Sequence, residues 1–244
     1  KYSDNIESTD SNVQFLGEVK TNKNTAIDQP IVGFIGAGNH AKRTLLPAFS
    51  LSNVTFDTIT SSDGLGPVIL GRKFGFKQAA TDNNLVLSNE KINTVVITTR
   101  HDSHSDLVCR ALDSGKNVYV EKPLCLNLNE LNKIKESYIK SQKDYSNKPR
   151  LMVGYNRRFA PLVFEIKNLL SNINTPKSFV YLCNAGFIPD DHWIQDQKKG
   201  GGRLIGEACH FVDLLIHLSG SEVDNLTVTN ADDFRASKDI FSIQ

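Results

Sequence analysis

The chain has 244 residues, enough for one large or two modest domains with real cores, which excludes a miniprotein that depends on disulfides or metals. Its 28 basic and 27 acidic residues leave a formal net charge of +1, so no global field favours nucleic acid or anionic membranes. Hydrophobic residues make up 39% and charged residues 23%, as in an ordinary folded domain.

The first half of the chain reads as a polar tail followed by alternating strands and helices. Residues 1–29 are polar and lack periodicity, which predicts a linker or tail. From Ile31 onward, strand-like runs (IVGFIG, VTFDTIT, INTVVITT, NVYVEK, RLMVGYNRRF) alternate with helix-like stretches (HAKRTLLPAFS, SHSDLVCRALDSG, NLNELNKIKESYIKSQ). This alternation predicts βαβ units and a parallel sheet, so the fold class is α/β.

The second half of the chain, residues 157–244, has a different pattern of predicted helices and strands. The runs FAPLVFEIKNLL and CHFVDLLIHLSG predict helices, whereas SFVYLCNAG, DNLTVTNADD and DIFSIQ predict strands. Few of these strands are separated by crossover helices. We therefore expect an α+β domain with an open, mostly antiparallel sheet that packs on the first half.

The motif GAGNHA lies directly after an apolar strand and directly before a helix. Gly36 permits a tight turn, Gly38 lets backbone N–H groups approach a diphosphate, and the small Ala41 lets helix and strand pack closely. We expect a dinucleotide to bind over residues 36–41, including Asn39 and His40. The alternative is a tight turn between strand and helix that binds no ligand.

The second strand ends where such folds hold the cofactor's ribose. A dinucleotide fold expects an acid there for the 2′-hydroxyl of NAD, but the sequence reads Thr60, Ser61, Ser62, Asp63, with Asp63 slightly late. The hydroxyls of Ser61 and Ser62 suit either a free ribose or a 2′-phosphate. The choice between NAD and NADP therefore stays open.

Two further segments follow strands at the predicted ligand edge of the sheet. TTRHDSH places Thr99, Arg100 and His104 in the cofactor cleft, where Arg100 and His101 could face the nicotinamide ribose. The alternative for His104 is a local hydrogen bond beside a helix cap. One strand over, Glu121 and Lys122 end the run NVYVEK, and an ammonium there can donate to a substrate oxygen.

GGGRLIGEACHFVDLLIHLSG combines a glycine run with polar residues at helical spacing. Glu207, His210, Asp213 and His217 share one helical face, next to Cys209. Such a face can bind zinc, but the surrounding apolar residues favour a buried helix whose polar stripe lines a substrate cleft. We expect no metal, and Cys209 reads as a packed thiol.

The four cysteines, Cys109, Cys125, Cys183 and Cys209, include no CxxC pair, which favours a reduced, cytoplasmic protein. No apolar run approaches the roughly 18 residues needed to span a bilayer, and the start lacks a signal-peptide pattern. The only methionine is Met152, so we expect this chain to have been cut from a longer one.

Taken together, GAGNHA, TTRHDSH, VEKPL, VGYNRRF and GGGRLIGEACHFVDLL resemble the glucose-fructose oxidoreductase and inositol dehydrogenase family, Gfo/Idh/MocA. The resemblance spans residues 33–215 and implies an NAD(P)-binding Rossmann domain, residues 30–156, followed by an incomplete substrate domain, residues 157–244. It also implies that Lys122 is the catalytic lysine. The segment NAGFIPDDHWIQD, with the glycine run after it, resembles the branch fused to a zinc-alcohol-dehydrogenase-like half, with residues 1–29 as the joint.

Family members commonly place an aspartate four residues before the histidine that matches His210, but this chain has Gly206 there. We expect Glu207 to substitute, with Lys122 and His210 handling the substrate proton. The substrate side is predicted to consist of Asn156, Arg157, His192, Trp193 and Asp213.

The resemblance implies an NAD(P)-dependent oxidoreductase that acts on a carbinol carbon of a sugar, sugar nucleotide or cyclic polyol, in surface polysaccharide metabolism. The alternatives are a non-catalytic NAD(P)-binding sensor or scaffold, and an inactive fragment of a bifunctional enzyme. The expected partner is a small sugar-like molecule, without nucleic acid or membrane. An open sheet edge would favour a homo-oligomer.

Overall fold

The computed structural model describes residues 12–15, 29–230 and 240–244. Its main feature is a seven-stranded sheet with the order β1-β4-β3-β2-β5-β6-β7, in which β1 is antiparallel to β4 and all other neighbours are parallel. The strands are β1 (Asn12–Gln14), β2 (Ile31–Ile35), β3 (Thr55–Thr60), β4 (Gln78–Ala80), β5 (Thr94–Ile97), β6 (Asn117–Val120) and β7 (Leu151–Val153). The predicted α/β class with a parallel sheet is confirmed.

Helices cover both faces of this sheet, which explains the apolar run in the central strand β5. Val95 and Ile97 point into one hydrophobic cluster, whereas Val96 between them belongs to the cluster on the opposite face. Successive side chains of a strand alternate between faces, so a strand buried on both sides favours apolar residues at consecutive positions. The helices are α1 (Leu46–Ser50), α2 (Leu65–Phe74), α3 (Asn84–Leu87), α4 (His104–Asp113), α5 (Leu128–Asp144), α6 (Pro161–Ser171) and α7 (Cys209–Ser219).

Four short helical turns connect these elements. Two are π-helical, Ala41–Leu45 before α1 and Leu204–Ala208 before α7, and two are 3₁₀ turns, His101–Ser103 and Asn156–Phe159. The predicted boundary between the domains, at residues 156 and 157, falls inside the last of them and stays a prediction. Among the described residues no helix has the length and apolar character needed to cross a bilayer.

The second half contains α6 and α7, which pack through a small core of Val163, Leu214 and Leu218. Strands β8 (Val228–Asn230) and β9 (Phe241–Ile243) form an antiparallel pair, as predicted. The strand predicted for SFVYLCNAG is wrong, because residues 178–186 contain no strand. The apolar alternation there suits a sheet, but no strand of the described chain pairs with it, and Val180 and Leu182 are 93% and 95% exposed.

Most of the predicted tail, residues 1–29, lies outside the described residues. Its described part contains β1, which adds to the sheet edge beside β4, and the Phe15 N–H donates to the Lys77 carbonyl at 2.8 Å. Composition alone did not predict this edge strand, because three polar or half-buried residues carry no periodic signal.

Candidate active site

The glycine loop follows β2 and leaves open space above it. Gly36 has φ +110°, and a Cβ there would lie 2.6 Å from Thr98 Oγ1, so only glycine fits. At Gly38 an added Cβ would meet nothing within 4 Å, so the space beside this glycine is open to a ligand. Ala41 is fully buried at the start of the π-helical turn, where a small residue lets helix and sheet approach.

The segments after β2, β5 and β6 meet at the carboxyl edge of the sheet, because these three strands are parallel neighbours. A cleft of about 730 Å³ opens there. It is lined by His40, Thr98, Thr99, His101, Glu121, Lys122, Asn156, Arg157, Phe159, Ala160, Trp193 and His210. The first and second halves of the chain therefore both contribute side chains to one cleft.

Glu121 contacts two side chains at this edge, one from the segment after β2 and one from β6. Its Oε1 lies 3.1 Å from His40 Nε2 and accepts a hydrogen bond from the Tyr119 hydroxyl at 2.9 Å. Burial, together with the Glu121 carboxylate, raises the pKa of Tyr119, so this phenol stays a donor. The predicted cofactor residues His40 and Glu121 are thus in direct contact.

Lys122 is held by the backbone of the second half. Its Nζ donates to the Gly206 carbonyl at 2.6 Å. This is the position where the resemblance predicts an aspartate, and here a main-chain oxygen accepts instead. A Cβ at Gly206 would lie 3.1 Å from His101 Cε1 and 3.4 Å from the Gly200 carbonyl oxygen, so a larger residue requires a shift of its neighbours.

His210 lines the same cleft with an unused nitrogen. Its Nδ1 is buried and has no hydrogen-bond partner in the described part of the chain. Burial, followed by the positive charges of Lys122 and Arg157, lowers the pKa of His210 to about 4. The imidazole is therefore neutral at pH 7, and a neutral imidazole has one nitrogen that accepts a hydrogen bond and one that donates.

Two predicted residues have different partners from those expected. Glu207 does not orient His210, because its Oε2 accepts from Arg203 Nε at 3.0 Å. Asp213 does not line the cleft: it accepts from Arg158 Nε at 2.9 Å and also from Nη2. A guanidinium offers two aligned donors to a carboxylate, which outcompetes a single contact with imidazole or substrate.

The predicted cofactor contact of His104 is corrected as well. His104 is 0% exposed, and its Nδ1 and Nε2 lie 2.7 Å and 3.2 Å from the carbonyl oxygens of Pro123 and Thr99. Burial lowers its pKa. The local hydrogen-bonding alternative describes this residue, which holds the ends of two neighbouring strands together, while Thr99 itself lines the cleft.

His101, which TTRHDSH suggested beside the nicotinamide ribose, lines the cleft. Its Nδ1 lies 2.8 Å from the Gly200 carbonyl, and its ring packs edge-on against Trp193 at 4.9 Å. Arg100 lies outside the cleft lining, with its guanidinium 5.7 Å from the Trp193 ring. For His101 the only signal in the sequence was its position in TTRHDSH, because its partners Trp193 and Gly200 lie about a hundred residues away in the chain.

The remaining predicted residues divide into two groups. Asn156, Arg157 and Trp193 line the cleft, whereas His192 lies outside it, with its Nδ1 accepting from the Ile194 N–H at 3.3 Å. Ser61 and Ser62 follow β3 without lining the cleft, and nearby Asp63 accepts from the Gly66 N–H at 3.1 Å at the start of α2. Asn39 is exposed in the glycine loop. No three His, Cys, Asp or Glu side chains of residues 12–15, 29–230 and 240–244 are grouped as metal ligands.

The contact between His101 and Trp193 predicts an acid-sensitive signal. Burial lowers the pKa of His101 to about 4, and the neutral ring donates to Gly200. Since an unfolded histidine titrates near 6.5, stability from this residue is complete above about pH 6.5 and is lost as the pH falls towards 4. The free energy of unfolding should fall by up to about 2 kcal/mol between pH 7 and pH 5 through this residue.

Trp193 is the only tryptophan, so its fluorescence in the folded protein reports the same titration. We expect quenching with a midpoint near pH 4 as His101 is protonated. His101→Asn should remove this midpoint and reduce the acid loss of stability, whereas His192→Asn, whose ring centroid lies 5.8 Å from that of the indole, should retain both. A midpoint unchanged in His101→Asn would contradict the assignment.

Comparisons with known proteins agree with this geometry. An oxidoreductase family with an NAD-binding Rossmann fold, Gfo/Idh/MocA, matches residues 31–148. An oxidoreductase of Formosa agariphila is 30% identical over 204 residues, which cover 80% of this chain and 61% of that protein. The NAD⁺-dependent scyllo-inositol 2-dehydrogenase of Bacillus subtilis is 29% identical over 160 residues, which cover 65% of this chain and 44% of that enzyme.

Solved structures show the same fold. A levoglucosan dehydrogenase in complex with NADH and levoglucosan aligns with a TM-score of 0.73 at 23% identity, over 84% of this chain and 58% of that one. This chain spans less than two thirds of the length of each of these three proteins.

Proposed function

The chain belongs to the Gfo/Idh/MocA oxidoreductase family through its NAD-binding Rossmann domain, and on that premise we propose that it oxidises or reduces a carbinol carbon of a sugar-like molecule with NAD. The proposed substrates are sugars, sugar nucleotides and cyclic polyols. The observation that carries this proposal is the single cleft in which Lys122 and His210 lie at the edge that also carries the glycine loop.

The residues present fit a dinucleotide. Gly38 leaves open space where a Cβ would otherwise stand, and Gly36 supplies the turn that aims the following backbone at that space. Thr98, Thr99 and Glu121 line the cleft from neighbouring strands. When bound, the nicotinamide ring supplies or accepts the hydride.

The chain's own residues would hold the reacting hydroxyl and move its proton. His210 is neutral at pH 7 and its Nδ1 is buried, so its other ring nitrogen, Nε2, would accept a hydrogen bond from the hydroxyl, while Lys122 presents N–H donors to the same oxygen. The Gly206 carbonyl fixes the direction of the ammonium, since it already accepts one N–H. Trp193 and Asn156 supply an aromatic face and an amide suited to a hydroxylated ring.

Turnover measured with NAD⁺ tests this proposal. We expect absorbance from NADH when the full-length natural protein meets a panel of cyclic polyols, sugars and sugar nucleotides, and crystals soaked with a reactive member should show density against Trp193 and Asn156. Absence of turnover across the panel, with NADH still binding, would favour the alternative of a non-catalytic dinucleotide sensor or scaffold. The observation that favours this alternative is Gly206, where the resemblance predicts an aspartate.

Several finer features are part of the same proposal and rest on the cysteine pattern, the open sheet edge or the resemblance. They are a cytoplasmic location, a homo-oligomer formed through the open sheet, fusion to a zinc-dehydrogenase-like half, and a role in surface polysaccharide metabolism. Glu207 is no longer part of the proton-handling group, because Arg203 holds its carboxylate.

A further inference from the structure

The cleft is lined by two basic side chains, Lys122 and Arg157, that form no ion pair with a carboxylate in the described part of the chain. Lys122 donates to a neutral carbonyl, that of Gly206. Arg157 forms no ion pair within the described ranges, and its guanidinium lies 4.7 Å from the Phe211 ring. Stacking on an aromatic ring fixes the plane of a guanidinium but leaves its N–H groups available.

Three carboxylates at or beside the cleft are bound by other partners. Glu121 pairs with His40 and the Tyr119 hydroxyl. On the second half, Glu207 is bound by Arg203, and Asp213 is bound by both arms of Arg158. None of these three carboxylates is therefore left to balance the charges of Lys122 and Arg157.

Both cations act on the same point of the cleft. After burial, Lys122 and then Arg157 are the charges that depress the pKa of His210, so the potential at this imidazole is positive. Asp213 acts in the opposite direction, but more weakly. An anionic group placed near His210 would be attracted by the two charges together.

We propose that the substrate is a sugar acid, whose carboxylate is bound by the Arg157 guanidinium beside the reacting carbinol. The proposal rests on the proposed function and narrows its substrate class. The planar fork of arginine matches a carboxylate with two parallel hydrogen bonds, and the exposed guanidinium is accessible to it. A phosphate group shares this anionic chemistry, so the experiment must separate a sugar acid from a sugar phosphate.

The test measures binding by calorimetry in the presence of saturating NADH. The probes are D-glucuronate, D-galacturonate and D-mannuronate, each matched with its neutral hexose and the corresponding hexose 1-phosphate. We expect at least one uronate to bind about 10-fold or more tightly than its neutral partner, as a charge-assisted bidentate contact implies. Arg157→Met should remove this preference, and Arg157→Lys should retain only part of it.

Arg150→Met is the matched control. Arg150 precedes β7 and Arg157 follows it, so the control removes the same charge from the opposite end of this strand. It should retain the preference for the uronate, and all variants should bind NADH as the natural protein does.

Three outcomes would overturn the inference. They are the absence of any uronate preference, a preference that survives Arg157→Met, and tighter binding of the hexose 1-phosphates than of the uronates. If NADH itself failed to bind, the proposed function would fail first and the inference with it. If NADH bound and neutral sugars were turned over without any uronate preference, only the inference would fail.

Discussion

Gly38→Val is expected to abolish dinucleotide binding and to leave the protein folded. The valine side chain would enter the open space beside the glycine loop, where an added Cβ meets nothing of the protein within 4 Å. That space is the one through which backbone N–H groups of the loop would reach a diphosphate. We expect at least a 100-fold loss of NADH affinity, about 2.7 kcal/mol, in a titration of cofactor fluorescence.

Gly36→Ala is the comparison variant for stability: unlike Gly38→Val, it is expected to impair folding as well as binding. A Cβ at Gly36 would lie 2.6 to 2.7 Å from Thr98 atoms, including its backbone, and φ is +110°, so this variant should lose stability. Gly38→Val should instead unfold at the same denaturant concentration as the natural protein. Unchanged NADH affinity in folded Gly38→Val would contradict the assignment of the loop.

The Rossmann half of the fold could be predicted because its signals are local. Val95, Val96 and Ile97 are buried on alternate faces of the sheet, and an uninterrupted apolar run is the consequence. The prediction of a strand at residues 178–186 was wrong because a strand there depends on a distant neighbour and not on a local signal. A strand on a sheet edge is defined by its hydrogen-bonded neighbour, and an alternating pattern contains no information on whether that neighbour exists.

The candidate site divides in the same way. The glycine loop and Lys122 follow strands directly, so their sequence position fixes their place at the sheet edge. The spacing of Glu207 and His210 assumed an α-helix, but residues 204–208 form a π-helical turn and Arg203 captures the carboxylate. The bond from His101 to Gly200 joins residues 99 positions apart, which no local pattern can indicate.

Gly206 shows how one departure from the family pattern is accommodated. Lys122 needs an acceptor that fixes its direction, and a main-chain carbonyl provides one without placing a second charge in the cleft. A larger residue at position 206 would be crowded, because His101 and Gly200 lie close to the place where its Cβ would stand. An ammonium held by a neutral acceptor keeps its full positive field, which strengthens the expectation that an anionic substrate is attracted to this cleft.

Lys122→Met and His210→Ala are expected to lower turnover strongly and to leave NADH affinity nearly unchanged. Both side chains line the cleft, one from the end of β6 and the other from α7, so the reacting hydroxyl would lie between the two halves of the chain. Oxidation of a carbinol releases a proton as well as a hydride, and positioned acid-base groups typically contribute about 10² to 10⁴-fold. Each substitution should therefore reduce kcat by about that factor on an established substrate.

Glu207→Gln is the control for this pair, because its carboxylate is bound by Arg203 and not by His210. It should leave the pH profile of kcat unchanged, even if the loss of charge beside Arg203 lowers stability. Lys122→Arg keeps a cation but presents a planar fork in place of a compact ammonium, so it should restore little of the activity. Substantial turnover in the Lys122→Met, His210→Ala double variant would show that the proton leaves by another route, since neither His210 to receive the proton nor Lys122 to donate to the oxygen would then be present.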